Sequence, residues 1–342
     1  MKKIYFLHPA VHNLGEMLEY LGLTNKLENI NDWEWNRENP DILLVSEHIY
    51  LNEIIYKQFC KYLSDEHSIK IYIEGECISP DMNLFDYAIV FDRKLLDNDR
   101  IIRNPILIFH SKSIIYDQNN IVNPNDAEGL LANRKFCCFL YSNPNAHPMR
   151  DKLFYEISKY KKVDSLGHHL KNVEKEPITT SNDWHIQSIE IKENYKFSIA
   201  CENATYEGYT SEKLLSSLQA HTVPIYWGNP YVSEEFNDKA FIDCSKYSDF
   251  ESLISRIKQI DEDDELWRSI VAQPWMTPEQ KENCKIENRK YFKFWNNIFT
   301  QSIESLHRVP SGTYPSRYRY FFKHNSIKSS LKVKIKTLIG RY

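Results

Sequence analysis

The segment from residue 195 to residue 230 constrains the fold of this 342-residue chain more than any other. Tyr195 to Cys201 is a short apolar and aromatic run between polar neighbours, which predicts a strand. The leucines between residues 214 and 218 recur at helical spacing, and Val223 to Trp227 predicts a second strand. Strand, helix and strand in this order are typical of a parallel α/β sheet.

Six residues of types that bind ligands lie just after the first of these strands and at the start of the predicted helix: Glu202, Asn203, Gly208, Tyr209, Glu212 and Lys213. Thr210 or Ser211 is the predicted N-cap of the helix. Ligands of open α/β sheets bind at the carboxyl ends of the strands, and a helix N-terminus there attracts phosphate. The pattern therefore predicts a phosphate-bearing ligand, with Lys213 as an added cation.

This segment closely resembles the donor-site signature of the alpha-1,3-fucosyltransferases, glycosyltransferase family ten. Those enzymes carry E-N-x-x-x-x-G-Y-x-[ST]-E-K followed by P-I-Y-W-G, and residues 202–213 and 224–228 match at the expected spacing. Further matching segments are Gly75-Glu76 with residues 81–89, residues 142–146 with Arg150 close behind, and residues 236–241. The resemblance covers roughly residues 70 to 300. Three matching blocks in the same order are specific to this family, because a chance match to all of them is very unlikely.

The resemblance implies an α/β fold with two facing Rossmann-like domains, the arrangement of a GT-B type glycosyltransferase. We expect residues 1–130 to form an acceptor-binding domain and residues 131–304 a GDP-fucose-binding domain. Residues 305–342 are interpreted as a basic amphipathic tail. The residue pattern agrees, because predicted strands and helices alternate through both halves, and an Asn-rich stretch at 117–127 is the expected connection.

Individual elements are also predictable. In the first half we predict strands at 4–8, 42–46, 70–73 and 87–91, with helices at about 13–22 and 51–63. In the second half we predict strands at 136–141 and 241–244, with helices at 148–160, 249–260 and 279–300. His221 and Trp227 are assigned mainly to packing, and His221 is also expected to close the helix after Lys213 and to favour its C-terminal dipole.

Glu76 is the predicted catalytic residue. It follows the strand at 71–73, where α/β folds place chemistry, and the resemblance makes it the general base. Inverting glycosyl transfer requires a carboxylate that accepts the proton of the attacking hydroxyl. Glu74, two residues earlier, is the alternative candidate.

The resemblance assigns the donor-binding role to six residues: Arg150, Glu202, Asn203, Tyr209, Glu212 and Lys213. Arg150 and Lys213 would neutralise the diphosphate as GDP departs. Glu212 would hold the ribose hydroxyls, whereas Glu202 would either contact the fucose or support the loop. An arginine near a helix start is electrostatically unfavourable unless an anion binds, which favours the functional interpretation of Arg150.

No metal or cofactor is expected beyond the GDP-fucose donor. Two D-x-D strings occur, at residues 97–99 and 261–263, and both are interpreted as surface features. The seven cysteines are scattered without a C-x-x-C pair, which predicts a reducing compartment. The apolar run after Met1 ends within four residues, too short for a signal peptide, so we expect a cytoplasmic protein.

The charge distribution sets the C-terminal segment apart. No acidic residue follows Glu304, whereas nine basic residues do, and the whole chain has a formal net charge of −4. Five apolar residues in this segment also fall at helical spacing: Ile327, Leu331, Ile335, Leu338 and Tyr342. We interpret the segment as an interfacial helix that binds the anionic inner membrane surface, with a solvated tail or a strand as alternatives. Nucleic acid is not an expected partner.

The predicted activity is inverting transfer of L-fucose from GDP-fucose to a glycan hydroxyl, with O3 of N-acetylglucosamine in a LacNAc-type or surface polysaccharide glycan as the favoured acceptor. Two alternatives remain at this point. One is a transferase of the same fold that uses another nucleotide sugar, and the other is a catalytically silent glycan- or nucleotide-binding protein. The sequence does not identify the acceptor.

Overall fold

The computed structural model describes residues 1–27, 29–63, 65–95, 99–103, 127–131, 133–174 and 184–324. These residues divide into two compact units. The first unit contains the described residues within 1–90, 95–111 and 289–342. The second contains those within 91–94 and 112–288.

The first unit is built on a parallel sheet of six strands in the order β2-β1-β3-β4-β5-β6. The strands are β1 (Lys2–Leu7), β2 (Trp33–Trp35), β3 (Ile42–Ser46), β4 (Ile69–Ile73), β5 (Tyr87–Val90) and β6 (Ile101–Arg103). Alternate residues of β1 enter different hydrophobic clusters on the two faces of the sheet. Every residue of β3 and β4 is buried. Because a parallel sheet that is covered on both faces requires nearly continuous apolar strands, this burial explains why both strands are rich in apolar residues.

The helices of the first unit include α1 (Leu14–Tyr20), α2 (His48–Leu51) and α3 (Glu53–Tyr62). Asn13 caps α1 by accepting a hydrogen bond from the Glu16 amide, and Asn52 caps α3 in the same way. The four strands and two helices predicted in this half are therefore confirmed to within a few residues.

The second unit has a parallel sheet of five strands in the order β11-β10-β9-β7-β8. The strands are β7 (Lys135–Phe139), β8 (Val163–Ser165), β9 (Tyr195–Cys201), β10 (Val223–Trp227) and β11 (Ile242–Asp243). The predicted pair of strands around the ligand-type residues is confirmed with its bounds, and β9 and β10 are adjacent and parallel.

The remaining helices are α4 (Ala127–Leu131), α5 (Met149–Tyr160), α6 (Trp184–Lys192), α7 (Glu212–Gln219), α8 (Val232–Glu235), α9 (Phe250–Glu262), α10 (Asp264–Val271), α11 (Pro278–Thr300) and α12 (Ile303–Leu306). The predictions for α5, α9 and α11 are confirmed. The sequence did not predict the short strands β2, β6 and β8, since three residues give no readable periodicity.

Both boundaries between the units differ from the predicted positions 130/131 and 304/305, because α4 already belongs to the second unit and α11 crosses back into the first. From Arg289 onward the chain belongs to the first unit. Trp295, Ile298 and Phe299 are buried there in the cluster that covers one face of the sheet. The Tyr291 hydroxyl donates to the Leu21 carbonyl at 2.8 Å. Burial of this aromatic face against β1 and α1 therefore returns the chain to its first unit before the predicted tail begins.

Part of the predicted tail is a packed helix. Residues 313–324 are helical and belong to the first unit. The Tyr56 hydroxyl is 3.1 Å from the Phe322 carbonyl oxygen, and Arg319 pairs with Glu66 at 2.6 Å. The apolar stripe at 327–342 lies outside the described residues, and so does the connection at 117–127 except for its last residue, which begins α4.

The predicted interaction of His221 with the C-terminal dipole of α7 is wrong, because the ring carries no charge at pH 7. Burial, followed by the nearby Arg134, lowers the pKa of His221 to about 4, so the ring is neutral at pH 7. Arg134 instead donates to the His221 carbonyl at 2.9 Å and to the Ala220 carbonyl at 3.2 Å. A guanidinium from outside the helix thus satisfies the carbonyl of the C-cap residue of α7 and that of the residue after it.

Candidate functional site

Glu202 organises the loop that joins β9 to α7. Its carboxylate is fully buried and accepts hydrogen bonds from the Ser211 amide at 2.8 Å and the Ser211 hydroxyl at 2.5 Å. Burial raises the pKa of Glu202, although the Lys213 ammonium opposes that rise. Ser211 occupies the predicted N-cap position, but its hydroxyl binds Glu202 rather than the first helical turn. Of the two roles considered for Glu202, this geometry favours support of the loop.

Gly228 makes room for this carboxylate. A Cβ atom at position 228 would lie 2.3 Å from the Glu202 Cγ atom. The glycine at the end of the P-I-Y-W-G run therefore has a steric reason. A side chain there would displace Glu202 and, with it, the start of α7.

Lys213 lies between two carboxylates at the start of α7. Its ammonium is 3.4 Å from Glu202 Oε2 and 3.3 Å from Glu212 Oε1, and it donates to the Ser211 hydroxyl at 2.8 Å. Burial acts to raise the pKa of Glu212, but Lys213 and a backbone hydrogen bond outweigh it and hold that pKa below its usual value. Glu212 is therefore ionised at neutral pH and positioned beside a cation.

Arg150 is a buried cation on α5, 2% exposed. Its guanidinium donates to the Asn203 side-chain oxygen at 2.5 Å and to the Cys201 carbonyl at 3.3 Å, with a long contact of 3.4 Å to the Asn143 carbonyl. All three acceptors are neutral, and its Nε–H has no hydrogen-bond partner among the described residues. A buried charge that faces only neutral acceptors is costly, and a bound anion would compensate it.

Tyr141 is a site residue that the sequence reasoning missed. The Arg150 guanidinium lies 4.1 Å above its ring. The Tyr141 hydroxyl donates to the Ile199 carbonyl at 2.9 Å and accepts from the Cys201 amide at 2.6 Å. Tyr141 therefore supports Arg150 and fixes the end of β9. Its position just before the matched segment 142–146 was the available signal.

Asn229 was also missed. Its side-chain oxygen accepts hydrogen bonds from the Gly208 and Tyr231 amides, both at 2.9 Å, and its amide nitrogen donates to Thr210 at 3.0 Å. Asn229 thus joins the loop after β9 to the loop after β10. The turn signature Gly228-Asn229-Pro230 marked this position in the sequence, but only as a turn.

Tyr209 is buried, 1% exposed, and its ring centroid lies 5.0 Å from that of Phe91. Asn203 is half-buried beside Arg150. The second unit therefore brings all six predicted donor-binding residues to the loop and helix start after β9 and the nearby N-terminal turn of α5. This is the carboxyl edge of the parallel sheet, as predicted.

Glu76 lies in the first unit, three residues beyond the end of β4. It is half-buried, whereas Glu74 is 3% exposed. Glu47, which follows the neighbouring strand β3, is also buried at 3% exposure. The carboxyl edge of this sheet thus carries three carboxyl groups, and the greater exposure of Glu76 suits a group that must meet a substrate.

The second D-x-D string has structural contacts. Asp261 is 3.0 Å from Lys161 and 3.4 Å from Lys196, and Asp263 caps α10 by accepting from the Leu266 amide. The first string lies partly outside the described residues. Within the described residues, no group of three or more His, Cys, Asp or Glu side chains is arranged to hold a metal ion.

Two family models match the chain. Residues 130–311 match glycosyltransferase family 10 (fucosyltransferase), C-terminal part, which is more than half of the chain. The chain belongs to this family. Residues 29–110 match the N-terminal domain of alpha-(1,3)-fucosyltransferase FucT. The family resemblance inferred from the donor signature is thereby confirmed.

Two curated relatives are similar to this family member. A putative fucosyltransferase of Acanthamoeba polyphaga mimivirus is 30% identical over 255 residues, which cover 70% of this chain and 39% of the relative. The alpha-(1,3)-fucosyltransferase FucT of Helicobacter pylori is 30% identical over 235 residues, which cover 58% of this chain and 46% of the relative. The match thus spans less than half the length of either relative.

Crystal structures of an alpha1,3-fucosyltransferase share the fold. The structure without a named ligand has a TM-score of 0.69 at 23% identity and covers 91% of this chain and 93% of that one. The structure with GDP-fucose has a TM-score of 0.62 at 22% identity, over 88% of this chain and 91% of that one. The predicted α/β class with two Rossmann-like parallel sheets is confirmed.

Among the helices that the structure describes, none combines the length and the apolar character needed to cross a membrane.

Proposed function

We propose that the protein transfers L-fucose from GDP-fucose to a hydroxyl of a glycan acceptor with inversion at the anomeric carbon. The favoured acceptor position is O3 of N-acetylglucosamine in a LacNAc-type or surface polysaccharide or lipopolysaccharide glycan. Membership of the fucosyltransferase family supports the donor, and a related fold has been crystallised with GDP-fucose.

The observation that carries this proposal is the state of Arg150. A buried guanidinium that faces only neutral acceptors at the carboxyl edge of a parallel sheet is suited to a diphosphate. Lys213, on the first turn of α7, adds a second cation at the same edge of the sheet. Charge that develops on the departing GDP would be stabilised by these two groups.

Glu76 completes the proposed chemistry as general base. The acceptor hydroxyl attacks the anomeric carbon of fucose as its proton passes to the Glu76 carboxylate, and the bond to the GDP oxygen breaks with its electron pair. The products are the fucosylated glycan, GDP and a protonated Glu76, which returns its proton to water. The new bond from the anomeric carbon to the acceptor oxygen replaces the bond from that carbon to the GDP oxygen.

We propose that no metal ion takes part, because Arg150 and Lys213 supply the positive charge that a divalent ion supplies in other transferases. The experiment incubates the protein with GDP-fucose and an array of glycans that contain N-acetylglucosamine, with and without EDTA. We expect fucose transfer that survives chelation. Loss of turnover on chelation that manganese restores would overturn the metal-free proposal.

The same protein preparation can distinguish this proposal from its two alternatives. Calorimetry with GDP-fucose, GDP-mannose and UDP-sugars tests whether another nucleotide sugar is the donor. Preferential binding of UDP-glucose, for example, would reject GDP-fucose. Tight GDP-fucose binding without transfer to any glycan would favour a silent binding protein.

We also propose that the C-terminal segment binds an anionic membrane surface on the cytoplasmic side. Five of the nine basic residues after Glu304 follow residue 324 in the sequence, together with the apolar stripe. On the preceding helix, Tyr314, Tyr320 and Phe321 are exposed by 81%, 59% and 55%. Aromatic side chains beside basic ones favour the membrane–water interface.

A truncation after His324 tests this, because it keeps the packed helix at 313–324. We expect the full chain to sediment with vesicles rich in phosphatidylglycerol at low salt, and the truncated chain to remain in the supernatant. Turnover of a water-soluble acceptor should be equal for both. Equal sedimentation of the two proteins would reject the membrane proposal.

A further inference from the structure

Gly75, which precedes the proposed base, lies against a buried carboxyl group. A Cβ atom at position 75 would lie 2.9 Å from Glu47 Oε1 and 3.2 Å from Glu47 Cδ. Glu47 reaches this position because β3 and β4 are adjacent, with Ser46 opposite Ile73 in the register. The glycine of the G-E pair therefore leaves space for the side chain of Glu47.

The Glu47 carboxyl is an unusual group to bury. It is 3% exposed, and its Oε2 atom has no hydrogen-bond partner among the described residues. Its Oε1 atom lies 3.3 Å from Nδ1 of the neighbouring His48, whose ring is mainly neutral at pH 7 because burial lowers its pKa. An ionised carboxylate in such surroundings is costly, so the protonated form is favoured.

The electrostatic surroundings of Glu47 come from several elements. Burial is the largest cause that raises the pKa of Glu47, to about 7, and the charge of Glu76 raises it further, while backbone hydrogen bonds oppose the rise. Tyr20 on α1 and Tyr72 on β4 also interact with the Glu47 charge. Burial lowers the pKa of His48, and Glu76 opposes that shift.

We propose that Glu47 is the positioning residue of Glu76: its buried carboxyl packs against Gly75, fixes the turn that carries Glu76, and couples its charge state to that of Glu76. This inference deepens the proposed function, since it rests on Glu76 as general base. Because the charge of Glu76 raises the pKa of Glu47, removal of that charge must lower the pKa of Glu47.

The coupling has a consequence for catalysis. Below neutral pH, Glu47 carries a proton and adds no negative charge beside Glu76. Above neutral pH, Glu47 ionises, and its added negative charge favours movement of the acceptor proton toward this pair of carboxyl groups. Turnover should therefore rise several-fold between pH 6 and pH 8.5 in the wild-type protein.

Glu47→Gln tests this role, because glutamine resembles the protonated acid in shape and cannot ionise. We expect wild-type turnover at pH 6 and loss of the several-fold rise toward pH 8.5. A residue with only a structural role would change turnover equally at both pH values. That uniform change would overturn the coupling.

The steric part of the inference is tested separately. Gly75→Ala should lower turnover because its methyl group displaces the Glu47 carboxyl. The same substitution in a Glu47→Ala background should cost much less, since the obstructing carboxyl is gone. Equal losses in both backgrounds would show that Glu47 does not set the turn at Gly75.

The closing experiment needs no activity. In protein labelled with ¹³C at the glutamate carboxyl carbons, NMR titration should show a Glu47 resonance with a midpoint near pH 7. That resonance should vanish in Glu47→Gln, move to lower pH in Glu76→Gln, and stay unchanged in the exposed control Glu53→Gln. If no glutamate titrates above pH 6, or if Glu76→Gln leaves the midpoint in place, the inference is wrong. A coupled midpoint in a protein that transfers no fucose would confirm the pair and reject the proposed function instead.

Discussion

The guanidinium of Arg150 lies 4.1 Å above the ring of Tyr141, whose hydroxyl bridges two backbone groups of β9. One aromatic side chain thus holds both the proposed diphosphate-binding cation and the strand end that precedes the donor loop. The ring of Tyr141 contacts Arg150, whereas its hydroxyl bonds to β9, so different substitutions can remove the two interactions one at a time.

Tyr141→Leu should weaken GDP-fucose binding about two- to thirtyfold, because a cation–π contact contributes about 0.5–2 kcal/mol. Tyr141→Phe keeps the ring and should bind GDP-fucose almost as the wild type does. It should unfold at a lower temperature, since the Cys201 amide and the Ile199 carbonyl lose their partner. Calorimetry and thermal unfolding measure the two effects. Equal donor affinity of the leucine and phenylalanine variants would contradict the role of the ring.

Arg150→Ala should weaken GDP binding roughly ten- to hundredfold, the value of a charge-assisted hydrogen bond of about 1.5–3 kcal/mol. Lys213→Ala should weaken it less, because Lys213 already compensates Glu202 and Glu212. The lysine variant should instead lose thermal stability, since Glu202 remains buried without its cation. Lys152→Ala, an exposed cation on the same helix as Arg150, is the matched control and should leave the dissociation constant of GDP unchanged. A larger binding loss in Lys213→Ala than in Arg150→Ala would reverse this order.

Glu76→Gln should lower turnover by a factor on the order of 10²–10⁴, the usual contribution of a positioned acid or base, with GDP-fucose affinity near that of the wild type. Glu74→Gln is the comparison, because Glu74 is the alternative base and is more deeply buried. Single-turnover kinetics at saturating donor distinguish the two. Nearly full activity of Glu76→Gln with loss in Glu74→Gln would transfer the assignment to Glu74.

The packed helix at 313–324 should contribute to stability. Truncation after Ser311 removes the Phe322 contact with Tyr56 and the Arg319–Glu66 pair. We expect the melting temperature to fall by a few degrees, because burial of part of a phenylalanine contributes on the order of 1 kcal/mol. Truncation after His324 should leave the melting temperature unchanged, and Phe322→Ala should reproduce part of the loss. Identical melting of both truncated chains would show that the helix adds no stability.

Lys192 should make stability depend on pH. Burial is the largest cause that lowers its pKa from 10.5 to about 8, and its ammonium is 2.5 Å from the Ser216 hydroxyl. Below pH 8 the folded state carries the full cost of a buried charge, about 3 kcal/mol. Between pH 8 and pH 10.5 the unfolded state binds the proton that the folded state has released, so the free energy of unfolding contributed by this group rises with pH.

Lys192→Met removes this group. We expect the variant to melt above the wild type at pH 7 and to lose that advantage as the pH approaches 10.5. Lys196→Met is the contrasting control. Because Lys196 forms ion pairs with Asp261 and Asp264, this substitution should lower the melting temperature at pH 7. A constant difference between Lys192→Met and the wild type across this range would contradict the shifted pKa.

The sequence by itself determined the parallel α/β character of both halves and the position of the donor loop. Val223–Trp227 is readable because a strand buried on both faces is nearly continuously apolar. Tyr195–Cys201 is readable because apolar and aromatic residues predominate in it between polar neighbours. The ligand-type residues between them were readable because a parallel sheet exposes polar groups only where its strands end. These are local rules, and a linear sequence carries them directly.

Tertiary structure alone decided what each of those residues contacts. Tyr141 beneath Arg150, Glu202 behind Gly228 and Glu47 against Gly75 are pairs separated by between 9 and 28 positions in the chain. It also decided that Trp295 and Phe299 return to the first unit, which places the domain boundary inside a continuous helix. Such contacts depend on which strands become neighbours and on the space between their side chains, and neither is encoded in the local spacing of residue types.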